Sequence, residues 1–434
     1  MNFVLVMKFG NYLEEINMSP KISSYPDGGK KSILDFVISA RSGKNYKLAG
    51  TVITGQHVNK TNAPTINDDS SAGFGVSDLW TDETNDKAYI ALDVTVGAAA
   101  WTEVTGGGAG GGGVNPNLLI NGDFRIAQRG TNFTSATTPA NSDDTYLLDR
   151  FILLSDGNDI VDVTQETTVV PTGSHNSIKL EVETANKQFG ILQIIEGKDA
   201  AAIIGGVASL SFDARMAAAD DNTHSLKAIV LAWDSTEDVV TSDVVNVWGA
   251  TPTYVANWTG ENTPASNTLT TSWQTFTIEN ISIDTAGAKN VAVFIFCDQT
   301  DGAIDDAIYI SKIKLEKGAS ATDCETRPIA QEEPLAQRFY EKMVNNGTGG
   351  SMGASMYQLA SVAFFVTTAW ATTKRVHPTA AVHGTWTVVN TPQPIIRASP
   401  SRNVFLLEGA AIATGTCVIL ANSSDDAISG DAEL

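Results

Sequence analysis

The sequence predicts a mainly β chain of several domains: a small N-terminal β module, a larger β-sandwich, a short connecting helix and a C-terminal β-sandwich-like domain. Three observations predict it. Strand-length apolar runs succeed one another from 115 to about 330, most of them bounded by Gly, Asp, Asn or Thr. The clearest helical periodicity lies in one stretch, 327–343. A glycine run, "GGGAGGGG" at 106–113, cannot pack and separates the two flanking parts of the chain.

Residues 1–60 are mixed. "KSILDFVISARSG" at 31–43 is expected to form a short amphipathic helix, with Ile33, Phe36, Val37 and Ala40 on one stripe. "YKLAGTVITG" at 46–55 reads as a strand, and "SYPDGGKK" is turn chemistry. Residues 61–105 form a unit of their own, with short β runs ("DLWTD", "KAYIALDV", "AAWTEV") between Asn-Asp and Gly turns. Phe74, Trp80, Tyr89 and Trp101 offer it a compact core. Residues 106–114 are the glycine linker.

Residues 115–326 read as one all-β domain. "SIKLEVET" at 177–184 alternates, with Ile178, Leu180 and Val182 on one face and Lys179, Glu181 and Glu183 on the other. "VAVFIF" at 291–296 is apolar throughout, which suits a central strand. Such runs without helical pattern argue for two packed sheets. In "RPIAQEEPLAQRFYEKM", 327–343, Glu332 and Glu333 lie near the start of the expected helix and Arg338 and Lys342 near its end, as the helix dipole favours. Leu335, Phe339 and Met343 would share a face. Residues 344–434 return to β character.

The totals restrict function. There are 28 basic and 49 acidic residues among 434, a formal net charge of −21. That balance argues against nucleic acid and against anionic membranes, which are bound through basic patches. No window reaches the roughly 20 apolar residues of a membrane span. Cys297, Cys324 and Cys417 are far apart and odd in number, so neither a disulfide framework nor a zinc site is expected from them. The opening "MNFVLVMKFG" is too short for a signal peptide, and folding in a reducing compartment is expected.

"NLLINGDFRIAQRG…YLLDRF" (117–151) and "YISKIKLEKGASATDCETRPIAQEEPLAQRFYEK" (309–342) resemble segments of tailed-bacteriophage tail-fibre and related virion appendage proteins. The resemblance implies that the domain between the two signatures is a jelly roll similar to carbohydrate-binding modules. "WTDETNDKAYIALDVTVGAAAWTEV" resembles a small module found before such domains, and the closing "DAEL" fits a C-terminal β domain seen in them. The resemblance covers most of 61–434. It implies a homotrimer, attachment of residues 1–60 to a phage tail or baseplate protein, binding of a host surface glycan, and a place in the virion after assembly in the bacterial cytoplasm. Carbohydrate-binding jelly rolls often hold calcium through an acidic residue soon after "NGDF" and an aspartate in the last strand. Arg125 and Ser311 stand at those positions here, so no metal or other cofactor is expected.

The residues offer few chemical constellations. Asp68–Asp69, Asp143–Asp144, Asp220–Asp221, Asp305–Asp306 and Asp425–Asp426 are adjacent pairs in turn-like stretches, read as solvated loops. "DQTDGAIDD" at 298–306 lacks EF-hand spacing. His57, His175, His224, His377 and His383 match no ligand or catalytic spacing, and no nucleophile elbow or phosphate loop occurs. No catalytic residue is predicted. Sugar C–H faces stack on aromatic rings, with amides and carboxylates nearby for the hydroxyls. Trp248, Tyr254 and Trp258, beside Asn257 and Glu261, are therefore candidate glycan contacts, with packing on the sandwich as the competing role. Trp370 and Trp386 are rival candidates in the C-terminal domain. The expected function is reversible glycan binding by a tail-fibre-like structural protein. The alternatives are a depolymerase that cuts the polysaccharide, a secreted adhesin or accessory module, and a structural collar or decoration protein without a receptor.

Overall fold

The computed structural model describes residues 56–85, 87–104, 115–220, 224–297, 302–344, 352–397, 401–423 and 425–434, and the backbone of strands Phe3–Phe9, Tyr12–Pro20, Phe36–Ser39 and Asn45–Tyr46. The glycine linker and most of the 46–55 stretch lie outside these residues. Strands dominate, and no described helix is long and apolar enough to cross a membrane. The chain divides into two compact units, Met1–Gly113 and Val114–Leu434.

In the first unit the four early strands form one antiparallel sheet in sequence order. The helix expected over 31–43 is not formed where it is described. Phe36–Ser39 is a strand, with Ile38 opposite Met18 and Tyr46. A four-residue apolar run fits either period, and β-branched Val37 and Ile38 favour the extended form once a hairpin edge is available. A second four-stranded sheet joins His57–Lys60, Leu79–Asp82, Lys87–Asp93 and Ala100–Glu103. Phe74, Trp80 and Trp101 meet over it at centroid distances of 5.3–5.7 Å. Buried Trp80 donates its indole N–H to the Asn62 carbonyl, and Trp101 donates to that of Asp68.

The second unit opens with a jelly-roll sandwich of two antiparallel sheets. One sheet runs Thr145–Tyr146, Ile152–Ser155, Phe189–Ile195, Asn290–Cys297, Ser225–Trp233, Trp258–Gly260. The other runs Gln274–Ser282, Val207–Met216, Ala307–Lys317, Ser177–Val182, Val161–Glu166, Asn132–Phe133. Ile178, Leu180 and Val182 turn inward, with Phe124, Leu210, Phe212, Val293 and Ile310, to form the core between the sheets. The first sheet is buried on its outer face too. There Ile194, Leu231, Phe294 and Phe296 lie under Val244, Val245 and Trp258. This second layer explains why Asn290–Cys297 is buried at every position.

The connecting helix is Ile329–Gln337, shorter than the pattern over 327–343 predicts. After Arg338 the chain turns extended, and Tyr340–Val344 pairs with Ala427–Asp431. Lys342 and Met343 therefore belong to a strand rather than to a helical face. Leu335 is exposed and Phe339 buried, so the expected stripe is broken. Cross-strand pairing decides this boundary, and helical periodicity contains no information about it.

The C-terminal domain stacks three three-stranded sheets: Tyr340–Val344, Ala427–Asp431, Thr379–His383; Met352–Gln358, Gly415–Ala421, Thr387–Val389; and Ala363–Ala369, Val404–Ala410, Ile395–Ile396. Phe364, Trp370, Trp386, Phe405, Leu407 and Ile419 fill its core. The domain is clasped to the sandwich by its last residues. Glu433 pairs with buried Arg150 and with Arg129, whose guanidinium lies 3.6 Å from the Tyr340 ring centroid. Leu434 packs with Ile120, Ile126 and Phe339.

Candidate functional site

The candidate aromatics of 245–262 sit in the layer that covers the outer face of the first sheet. Val245–Val247 and Thr253–Tyr254 form a short hairpin, and Trp258–Gly260 adds an edge strand with Trp258 opposite Trp233. Trp258 is buried. Its ring lies 5.3 Å from that of Trp233, and its N–H donates to the Thr241 carbonyl at 2.9 Å. Trp248 is half-buried against Phe294, with centroids 5.9 Å apart. Burial pushes the Tyr254 phenol up to about 12, and its hydroxyl is enclosed without a hydrogen-bond partner. Glu261 accepts from the Asp284 N–H and the Thr285 hydroxyl. Asn257, with φ 73°, is exposed. The structure brings Trp248, Tyr254 and Trp258 together as a cover packed on the sheet beneath, while Glu261 is engaged by Asp284 and Thr285 and Asn257 is exposed.

Trp370 and Trp386 are core residues, not surface residues. Trp386 is 2% exposed and donates to the His383 carbonyl, and Trp370 packs on Phe405 at 4.5 Å. Their candidacy as contacts is corrected by this burial, since a ring enclosed on both faces cannot stack on a sugar. The exposed aromatics of this domain are Tyr357, 69% exposed, and Phe365, 39% exposed. Both stand on outward faces of strands. In Met352–Gln358 the alternation turns Met356 inward and Tyr357 outward, opposite Thr416. Phe365 has the Arg397 guanidinium 4.5 Å from its centroid, whereas Tyr357 has an open face. "ASMYQ" contains no cluster to draw attention, and strand alternation sets Met356 and Tyr357 on opposite faces without saying which face is outward.

The acidic pairs are not simply solvated. Asp69 is buried and accepts from the Ser71 hydroxyl and from the Gly97 and Ser71 N–H groups, and these bonds, the hydroxyl's first, hold its carboxyl below the ordinary range. Asp426 is buried and accepts from the Asn422 and Ser423 N–H groups. Burial raises the Asp143 carboxyl, which accepts from the Ser155 N–H. Asp69 and Asp426 each close a turn by taking nearby backbone donors that would otherwise be orphaned, and Asp143 takes one from a strand twelve residues on.

Two of the pairs meet a histidine. Asp220, His224 and Asp306 present their ligand atoms within 4.8 Å of one another. His224 Nε2 lies 3.5 Å from Asp220 Oδ2 and 3.3 Å from Asp306 Oδ2, and all three side chains are almost wholly buried. The solvated-loop reading of Asp220 and Asp306 is thereby corrected. The loop before Ser225–Trp233 and the one before Ala307–Lys317 end at the same edge of the sandwich, a juxtaposition that separations of 4 and 82 residues do not reveal.

Arg125 and Ser311, at the positions where the resemblance implies calcium ligands, are both engaged by protein. Arg125 Nε lies 2.5 Å from Asp123 Oδ2, and its Nη2 donates to the Arg327 carbonyl. Burial raises the Asp123 carboxyl. The Ser311 hydroxyl donates to the Asn176 carbonyl at 2.7 Å.

No protein-family model matches this chain, and no curated protein matches it. Similar solved structures include the CBM22-1 xylan-binding domain of Paenibacillus barcinonensis Xyn10C, 11% identical, with a TM-score of 0.28 over 48% of this chain and 99% of that one. TmCBM61, solved with β-1,4-galactotriose, is 13% identical, with a TM-score of 0.26 over 46% of this chain and 99% of that one. The enzymatically active domain of bacteriophage CBA120 tailspike protein 4 is 17% identical, with a TM-score of 0.27 over 46% of this chain, which spans 21% of that one.

Proposed function

We propose that this chain is a tail-fibre-like virion appendage whose C-terminal β domain binds a bacterial surface glycan reversibly, without cleaving it. The observation that carries the reading is Tyr357: a 69% exposed ring on a rigid strand, its face open, beside exposed Ser355 and Thr416. A ring on a strand is held in place at little further entropic cost, and its face suits a sugar's C–H face while neighbouring hydroxyls meet the sugar's own. Exposure across the rest of that domain supports its choice. Leu359, Val362, Phe365, Val389 and Ile395 are also exposed there, whereas the sandwich exposes only Val239, Val247 and Ile304 among the large apolar groups of its described residues. Concentrated apolar exposure marks a contact surface.

In this reading the sandwich is a base that positions the contact domain, residues 1–60 attach to the phage tail or baseplate, and the chain is a homotrimer. Three weak sites on one stalk raise apparent affinity by roughly 10²–10⁴. The test is binding of the full chain and of Tyr357→Ala to host cells and a glycan array, with released sugar assayed in the supernatant. Binding without release, weakened at least tenfold by the substitution at unchanged Tm, is the expected result. Release of oligosaccharide would make it a depolymerase, and no binding would leave a structural virion part.

A further inference from the structure

The Asp220, His224 and Asp306 cluster has the construction of a metal site. Its three residues come from the ends of three strands. Asp220 lies just beyond Val207–Met216, His224 directly precedes Ser225–Trp233, and Asp306 directly precedes Ala307–Lys317. The first and third strands are neighbours in one sheet, and the second belongs to the other. Both carboxylates are oriented by backbone donors. Asp220 Oδ2 accepts from the Ala217 N–H at 3.1 Å and the Ala307 N–H at 3.2 Å, and Asp306 Oδ2 accepts from the Ala303 N–H at 2.8 Å.

His224 provides the second, independent observation. The residue is 1% exposed, and its Nε2 is buried without a hydrogen-bond partner. Two carboxylate oxygens lie within 3.5 Å of that nitrogen, yet neither is placed to accept from it. An imidazolium pinned by an ion pair would aim its N–H at one oxygen. A neutral nitrogen whose lone pair faces two carboxylates is repelled unless a cation stands between them. The spacing is that of ligands around one small ion. Zinc bonds of about 2.0–2.2 Å in tetrahedral geometry set neighbouring donors about 3.3–3.6 Å apart, which is how far the nitrogen stands from each of the two oxygens, with all three ligand atoms within 4.8 Å of one another. Calcium takes about six to eight oxygens and has little use for an imidazole, whereas imidazole with carboxylates suits zinc.

We propose that Asp220, His224 and Asp306 bind one Zn²⁺, with water as the fourth ligand, and that the ion staples the two sheets at this edge of the sandwich. The site lies away from Arg125 and Ser311, and it involves none of the cysteines.

The test uses the full chain, stripped with a chelator and dialysed. Zn²⁺ is expected to bind with one equivalent per chain by elemental analysis and to raise Tm by about 5–10 °C at a hundredfold excess over Kd. Co²⁺ is expected to give the d–d absorption of a tetrahedral N/O site. His224→Ala and, separately, Asp306→Asn should each weaken binding at least tenfold, while Cys324→Ser should leave it unchanged. Should either ligand variant unfold, Asp220→Asn gives the same comparison from the third ligand. Absence of stoichiometric Zn²⁺, binding unaffected by the ligand substitutions, or a response to Ca²⁺ alone would each overturn the proposal.

Discussion

Single residues show the physics most plainly where a side chain's environment differs from its type. Trp386 is a surface candidate by sequence, and burial makes it a core residue. Trp386→Ala should therefore destabilise the C-terminal domain by about 3–5 kcal/mol, the usual range for an aromatic cavity, read as a lower urea midpoint. Asp162 is a second case. It lies across from Glu181 and near Asp159 and Glu183, and burial first, then these like charges, raise its pKa from 3.8 to about 6. A carboxyl raised in the fold favours folding below the unfolded value, and that contribution is lost as pH rises through the folded one. The wild type should lose stability between pH 4 and 6, and Asp162→Asn should flatten that slope in a Tm series across the window.

At the scale of elements, close approach between neighbouring strands is what fixes the sandwich. Phe189–Ile195 lies between two partners, and Gly190 is the point of nearest contact. A Cβ there would stand 2.5 Å from the Ile295 carbonyl oxygen and 2.7 Å from the Phe294 ring. Gly190→Ala should cost about 1–3 kcal/mol, as overpacking does, and lower the sandwich's denaturation midpoint without changing its strand content by circular dichroism. Most strands of the sandwich were legible because period and turn chemistry are local. The helix at 329–337 was legible at its start, but its end was set by pairing with Ala427–Asp431, almost a hundred residues away.

At the scale of the second unit, the sandwich and the C-terminal domain are held together by a few buried charges. The Arg150 side chain is 2% exposed and that of Glu433 5%, with Arg129 on the other carboxylate oxygen. Removing one partner of such a pair leaves the other charge buried and costs about 3–5 kcal/mol. Glu433→Gln should uncouple the domains, giving two calorimetric transitions where the wild type gives one, with faster amide exchange at Phe339–Val344.

The sequence by itself determined the β class, the order of the segments, the inward face of Ser177–Val182 and the aromatic core of residues 61–105, because strand period, turn residues and ring content act over a few positions. The tertiary structure alone decided which aromatics are exposed, turning Tyr357 outward and enclosing Trp370 and Trp386. It also brought Asp220 and His224 to Asp306, and Glu433 to Arg150. Those outcomes depend on which strand ends and sheet faces meet across long loops, and the chain's local preferences do not encode such meetings.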